Sequence, residues 1–312
     1  MRGLKSKFFE DLKEGKLKKY LEYVISDDTL DLEIREDYIN IYYRGGSLYC
    51  IKPNGERSYR FKFDPKYSKH KGSIYAEQIE KLINEDRYIE AIPFIKTEMD
   101  QYFGSKKRSE EKEFQQLIVR DNNTSSIANS TDYYIVDVEY AITANKSRFD
   151  MLAVKLPSDQ SSKKKGIGSL VIIEVKYGNK SIKSDEGSAG LKKHLDDGIR
   201  IFSNKDILNN LQEEAKILFN QKLDLGLITS IGAKNNNNQL KKVEGKPEFI
   251  FTLINHDYES DILYEELQKC KGINNDIFDV KFSFSSFMGY GLYTDKMKTL
   301  KEIIEITSNK KI

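Results

Sequence analysis

The sequence predicts an α/β (α+β) chain: a small N-terminal antiparallel β-meander with helices, then a mixed central sheet flanked by helices. Three observations predict it. Between Leu30 and Phe63 four short β-type runs are separated by hairpin-turn residues. From Ser109 onward the patterns run helix, three strands, helix, strand, strand, which is the order of a mixed sheet with helices on its faces. Between the two lies a polar junction, Gly104-Ser105-Lys106-Lys107-Arg108. The chain has 312 residues, enough for about two domains, and the junction divides it into 1–106 and 107–312.

Taken in order, residues 1–25 have the pattern of a basic amphipathic helix through Leu4, Phe8, Leu12 and Leu17. The strand runs follow at 30–35, 38–43, 47–51 and 58–63. Gly45-Gly46 and Pro53-Asn54-Gly55 supply turns between the last three. Helical patterns cover 74–84 and 88–103, with Pro93 near the start of the second. In the larger part, 109–120 reads as a helix with Ser109 as its N-cap and Glu110 and Glu111 suited to its first turn. Strands are expected at 133–142, 148–155 and 170–176, with a polar loop from Pro157 to Gly168 between the last two. A helix is expected over 187–202, with Leu191, Leu195, Ile199 and Phe202 on one face. Strands follow at 223–230 and 248–255, a helix at 260–270, a strand at 280–287 and a last helix around 297–306.

Composition excludes several classes. The 51 basic and 49 acidic residues nearly cancel, so a nucleic-acid role has to rest on local patches. No run approaches the length of a membrane helix, and the basic N-terminus lacks the apolar stretch of a secretory signal. Cys50 and Cys270 are isolated, which fits a reducing cytoplasm and argues against a disulfide scaffold or a cysteine zinc site. Carboxylates are left to do any metal binding.

The chemistry concentrates between Arg148 and Lys176. Asp150 lies in one strand run. Glu174 and Lys176 lie in the next, two residues apart and therefore on one face. Pairing the two runs brings Asp150 beside Glu174. Two carboxylates and an ammonium around one volume suit a hard divalent cation and an activated water. The bland alternative makes Glu174 and Lys176 an ordinary strand-end ion pair.

Asp150 followed by Glu174-Val175-Lys176 resembles the PD-(D/E)xK nuclease superfamily, and the helix–strand–strand–strand–helix–strand order over residues 109–256 agrees with that likeness. The resemblance implies a restriction-endonuclease-like fold and an endo- or exonuclease dependent on Mg²⁺, with Mn²⁺ as a substitute. The substrate would be nucleic acid, DNA in preference to RNA, in prokaryotic restriction, defence or repair. Asp150 and Glu174 would hold the metal and Lys176 would position or polarise the water. A further metal contact would come from Glu113, with Glu110 or Glu139 as alternatives. Lys192, Lys193 and His194 would face the phosphate, with Lys180 beside them. Phe149 stands where the motif has proline, and His194 where a glutamine is often seen. Cutting both strands of a duplex would favour a homodimer. The rival reading keeps the fold as a catalytically silent module that binds nucleic acid or protein.

Several of these residues have plainer explanations. Glu139 shares a strand face with Asp137 and suits a strand-end salt bridge. Lys192 and Lys193 precede Asp196 and Asp197 by four residues and suit surface pairing. Lys163, Lys164 and Lys165 read as a solvated loop as readily as a phosphate contact. The Tyr and Arg residues of the meander (Tyr42, Tyr43, Arg44, Tyr49, Tyr59, Arg60) fit either a stacking platform for nucleic acid or the packing of a small sheet.

Overall fold

The computed structural model describes residues 1–56, 58–70, 72–105, 110–124, 131–142, 147–183, 190–229, 239–256, 260–273, 276–285, 292, 294 and 297–308, without the side chains of 105, 147, 160, 164 and 180. The chain forms two compact units. One comprises Met1–Gln116 with Asp224–Leu227; the other comprises Leu117–Leu223 with Ile228–Ile312.

In the first unit, the expected N-terminal helix is two helices, α1 (Ser6–Lys13) and α2 (Lys18–Ser26). They are broken around Gly15, a poor helix former. Strands β1 (Leu30–Ile34), β2 (Ile39–Tyr43), β3 (Gly46–Asn54) and β4 (Ser58–Lys62) pair antiparallel in chain order. The period of two puts Leu32, Ile41, Tyr49, Ile51 and Phe61 on one face. That face meets the helices: Phe61 stacks on Tyr88 with ring centroids 4.0 Å apart and packs on Tyr20, and Phe8 packs on Tyr59. Tyr88 opens α4 (Tyr88–Ser105), which packs with α3 (Ala76–Asn84). At the β2–β3 turn Arg44 and Gly45 both have positive φ, 48° and 72°, the backbone that a tight hairpin needs. A Cβ on Gly45 would also fall 2.5 Å from that of Lys112, so only glycine fits there.

Helix α5 (Glu110–Asn123) is divided between the units, its residues through Gln116 in the first and those from Leu117 in the second. Ser109, the expected N-cap, lies outside the described residues. The second unit continues with β5 (Tyr133–Ile142), β6 (Ser147–Lys155), the short α6 (Gln160–Lys165) and β7 (Ile167–Tyr177). Helices α7 (Leu191–Phe202) and α8 (Lys205–Asp224) lead to β8 (Lys242–Val243) and β9 (Glu248–Ile254). Then come α9 (Asp261–Lys269), β10 (Asp279–Ser285), β11 (Lys298–Thr299) and α10 (Leu300–Ser308).

The sheet order is β11-β10-β9-β7-β6-β5, with β8 beside β7. Strands β5, β6 and β7 are antiparallel neighbours, whereas β7, β9 and β10 run parallel. The chain is thus a mixed α/β protein with two sheets. A parallel pair needs a crossover, and α7 and α8 lie within the one that joins β7 to β9.

Two expectations change here. The strand expected at 223–230 is not formed over 223–229; Leu223 and Asp224 end α8, a 20-residue helix over a stretch for which no element is expected. Its buried Leu211, Ala215, Leu218, Phe219 and Lys222 recur at helical spacing. The loop before β7 contains α6, capped where the Asp159 side chain accepts the Ser162 amide at 2.8 Å. Strand β5 also carries a register shift between Ile135 and Asp137. Asn123 stabilises it: its side chain accepts from the Ile135 amide and donates to the Ile135 carbonyl, each at 2.8 Å. No helix among the described residues is long and apolar enough to cross a membrane.

Candidate active site

The β6–β7 ladder runs from Lys155–Ser169 to Met151–Ile173 and stops. The next positions are Asp150 and Glu174. Asp150, half-buried, turns its carboxylate into the vacated hydrogen-bond position, where Oδ2 accepts the Val175 amide at 2.7 Å. A side chain thereby replaces a strand carbonyl at the point where β6 leaves β7.

Across the opening, Glu174 and Lys176 are 3% and 6% exposed. They share a face with Ile172 on β7 and, by the parallel register, with Phe249, Phe251 and Leu253 on β9. Helix α7 lies over this face, and Gly198 permits it. A Cβ there would come within 2.9 Å of the Phe249 ring. One turn earlier in α7, His194 is buried. Its Nε2 lies 3.0 Å from Glu174 Oε1 and 3.1 Å from Lys176 Nζ, while Lys176 Nζ donates to the same Oε1 at 2.9 Å.

Nζ and Nε2 lie at hydrogen-bond distance, with donor and acceptor set by the imidazole tautomer. Burial alone would raise the Glu174 carboxyl. The hydrogen bond from His194 and the charge of Lys176 outweigh that and hold it below the ordinary glutamate value. Glu174 Oε2 is buried and accepts no hydrogen bond from any described residue, an arrangement costly for a carboxylate unless a cation or water completes it.

No family model, no curated protein and no solved structure matches the chain.

The structure brings Glu174, Lys176 and His194 together and places Asp150 at the end of the neighbouring ladder, on the Val175 amide. Glu113 is placed in the first unit, where its Oε1 accepts from Arg44 Nε at 3.1 Å. Arg44 also pairs with Asp100 at 2.7 Å. Glu110 is exposed on the first turn of α5. Glu139 takes positive φ at 53° and pairs with Arg148. Lys192 pairs with Asp196 at 2.5 Å, one helical turn on, and Lys193 is exposed. The Lys180 side chain lies outside the described residues. Lys163 is on α6, and burial pushes its ammonium down.

Among the described residues no group of three or more His, Cys, Asp or Glu side chains is arranged to hold a metal. Two carboxylates are what the site offers. His256, two residues past β9, is also buried. Its imidazole is pushed down to about 4 by burial, an effect opposed by the Lys176 backbone.

In the first unit the tyrosines divide by face. Tyr49 and Tyr59 point into the core, and Tyr43 bonds Asp100, so these three pack the sheet. Tyr42 lies on the other face beside Arg35, whose Nη2 donates to its hydroxyl at 2.9 Å.

Proposed function

We propose that the second unit is a Mg²⁺-dependent nuclease with a PD-(D/E)xK-type site of Asp150, Glu174 and Lys176, acting on DNA in preference to RNA. The observation that carries this reading is the opening of the β6–β7 ladder, with a carboxylate on each side and a buried lysine on the same strand face. Burying Glu174, Lys176 and His194 costs desolvation that an apolar trio would avoid. A site retained at such cost is a candidate for chemistry. The sequential order of β5, β6, β7 and β9 agrees with the restriction-endonuclease-like arrangement.

The donor set fits Mg²⁺, which is satisfied by one or two carboxylates and keeps its remaining positions for water and phosphate. Asp150 and the orphaned Glu174 Oε2 would hold it. Bound there, the ion would acidify a water and neutralise phosphoryl charge. The protein's own groups have separate tasks. Hydrolysis joins a water oxygen to phosphorus, breaks a phosphorus–oxygen ester bond, and requires a proton to leave the water and another to reach the departing oxygen. Lys176 can orient that water through an ammonium hydrogen, and His194 holds Lys176 and Glu174 in register.

Incubation with Mg²⁺ or Mn²⁺ and plasmid, linear or single-stranded DNA, or RNA, tests the proposal. Cleavage abolished by Asp150→Ala supports it. Cleavage that survives Glu174→Ala or Lys176→Ala unchanged refutes the site. A second reading has one observation in its favour: Lys176 and His194 already occupy Glu174 Oε1, as in a fold kept for binding alone. Calorimetry showing no Mg²⁺ binding, with no cleavage of any nucleic acid, would establish that silent module.

A further inference from the structure

The outward face of the meander carries a different pattern from its apolar inner face. Lys52 on β3 stands directly opposite Arg60 on β4, and Cys50 stands opposite Lys62. By the period of two, Lys52, Arg60 and Lys62 share one face, and all three are exposed. Arg35 on the same face lies behind them against Tyr42, with its ring 5.8 Å away. Lys52 is held over the ring of Tyr38 at 4.1 Å. Cys50 lies among these cations, and Asp31 and Glu33 of β1 share the same face farther in. Burial raises its thiol, while Lys52, Lys62 and Arg35 pull the other way.

Lys52, Arg60 and Lys62 form no ion pair with any described residue. Other cations of the unit do: Lys5 with Asp37, Lys7 with Asp11, Arg44 with Asp100 and Glu113, and Lys96 with Asp27. Like charges directly opposite on neighbouring strands are destabilising. Protection of a sheet edge explains Arg60 and Lys62, because β4 is the edge strand. It does not explain Lys52, which lies one strand in and is aimed at the same side.

We propose that this face of the β3–β4 ribbon binds the phosphate backbone of nucleic acid, with Lys52, Arg60 and Lys62 as the phosphate contacts. The occupant follows from charge complementarity: evenly spaced phosphates match cations about two strand residues or one interstrand gap apart, and the contact is sequence-independent. The tyrosines of the inner face take no part, and on the outer side Tyr42 and Tyr38 are engaged by Arg35 and Lys52, so salt dependence dominates. This inference rests on the nucleic-acid substrate proposed above, but it concerns binding by the first unit and not cleavage by the second.

The test is fluorescence anisotropy with a labelled DNA duplex in EDTA, titrated over a range of NaCl, for wild type and a Lys52→Gln/Arg60→Gln/Lys62→Gln variant. Each phosphate contact contributes about 0.9 to the slope of log affinity against log salt. The variant is expected to lose at least about tenfold in affinity near 0.1 M salt and to have a slope shallower by about 2 to 3. A control removing the same charge elsewhere, Lys13→Gln/Lys18→Gln/Lys19→Gln, should keep the wild-type slope. The single variants Lys52→Gln and Lys62→Gln should each shift the slope by about 1, which guards against a folding defect in the triple variant. An unchanged slope in the triple variant, an equal change in the control, or no duplex binding by wild type overturns the inference. Binding that behaves as expected without any Mg²⁺-dependent cleavage leaves it standing and removes the nuclease reading. Cleavage with an unchanged slope does the reverse.

Discussion

Replacing Glu174 with glutamine removes the one charge that Lys176 and His194 share. The ammonium would then be buried beside neutral groups, and breaking a buried pair from one side costs about 3–5 kcal/mol. Urea unfolding of Glu174→Gln should show a loss of that order; a loss below about 1 kcal/mol would mean that Lys176 finds water in the native state. The pH dependence has a definite sign. Because the folded carboxyl lies below its unfolded value of 4.5, its contribution is present above that pH and is lost as pH falls through the lowered folded value. The stability difference between wild type and Glu174→Gln should therefore be constant near neutrality and shrink below about pH 4.5. His256 acts at higher pH. Its imidazole is held at about 4 against an ordinary 6.5, so the unfolded chain binds the extra proton first. Stability should fall as pH drops from about 6.5 to about 4, by at most on the order of 3 kcal/mol. His256→Phe should flatten the wild-type stability curve in that window, and an unaltered curve would show that the imidazole charges without penalty.

Helix α7 positions His194 only because Gly198 lets it approach the sheet. Gly198→Val would drive methyl groups into the Phe249 ring, displace the helix, and cost about 1–3 kcal/mol by overpacking. If the approach governs the site, the variant should also lose cleavage out of proportion to its stability; full activity at reduced stability would separate the two. The elements that build the opening were legible because their signals are local: short continuous apolar runs in β6 and β7, and Leu191 and Leu195 on one face of α7. Helix α8 falls on a stretch, 203–222, for which no element is expected, although its buried residues recur at helical spacing; its many polar residues dilute the apolar stripe. Side-chain partners were less legible than elements. Glu113 is 69 residues from Arg44, and nothing in a helix edge announces an arginine placed by a distant hairpin turn. The closeness of His194 to Glu174 depends on how far α7 can sink onto Phe249, a packing distance that no spacing rule encodes. The division of the meander's tyrosines and cations by face needed the register, which the turns suggest but do not by themselves set.

At the scale of the whole chain, the proposed site draws on β6, β7 and α7, all within the second unit, while β1–β4 belong to the first. A ligand that binds only the native state stabilises it by mass action, about 2.7 kcal/mol at a hundredfold excess over its dissociation constant. Mg²⁺ held by Asp150 and Glu174 should therefore slow amide exchange in β6, β7 and the first turn of α7. The Val175 amide is a direct reporter, since its acceptor is the Asp150 carboxylate itself. Exchange in β1–β4 should not respond, because none of the proposed ligands lies there. Hydrogen exchange read by mass spectrometry, with and without Mg²⁺, distinguishes the outcomes by location. Protection confined to the peptides containing Asp150, Glu174 and His194, and absent in Asp150→Ala, supports the metal site. Protection spread evenly over both units would point to a general salt effect. Protection centred on another segment would place the cation elsewhere, and the opening between β6 and β7 would then be a structural device in which Asp150 serves only to satisfy the Val175 amide.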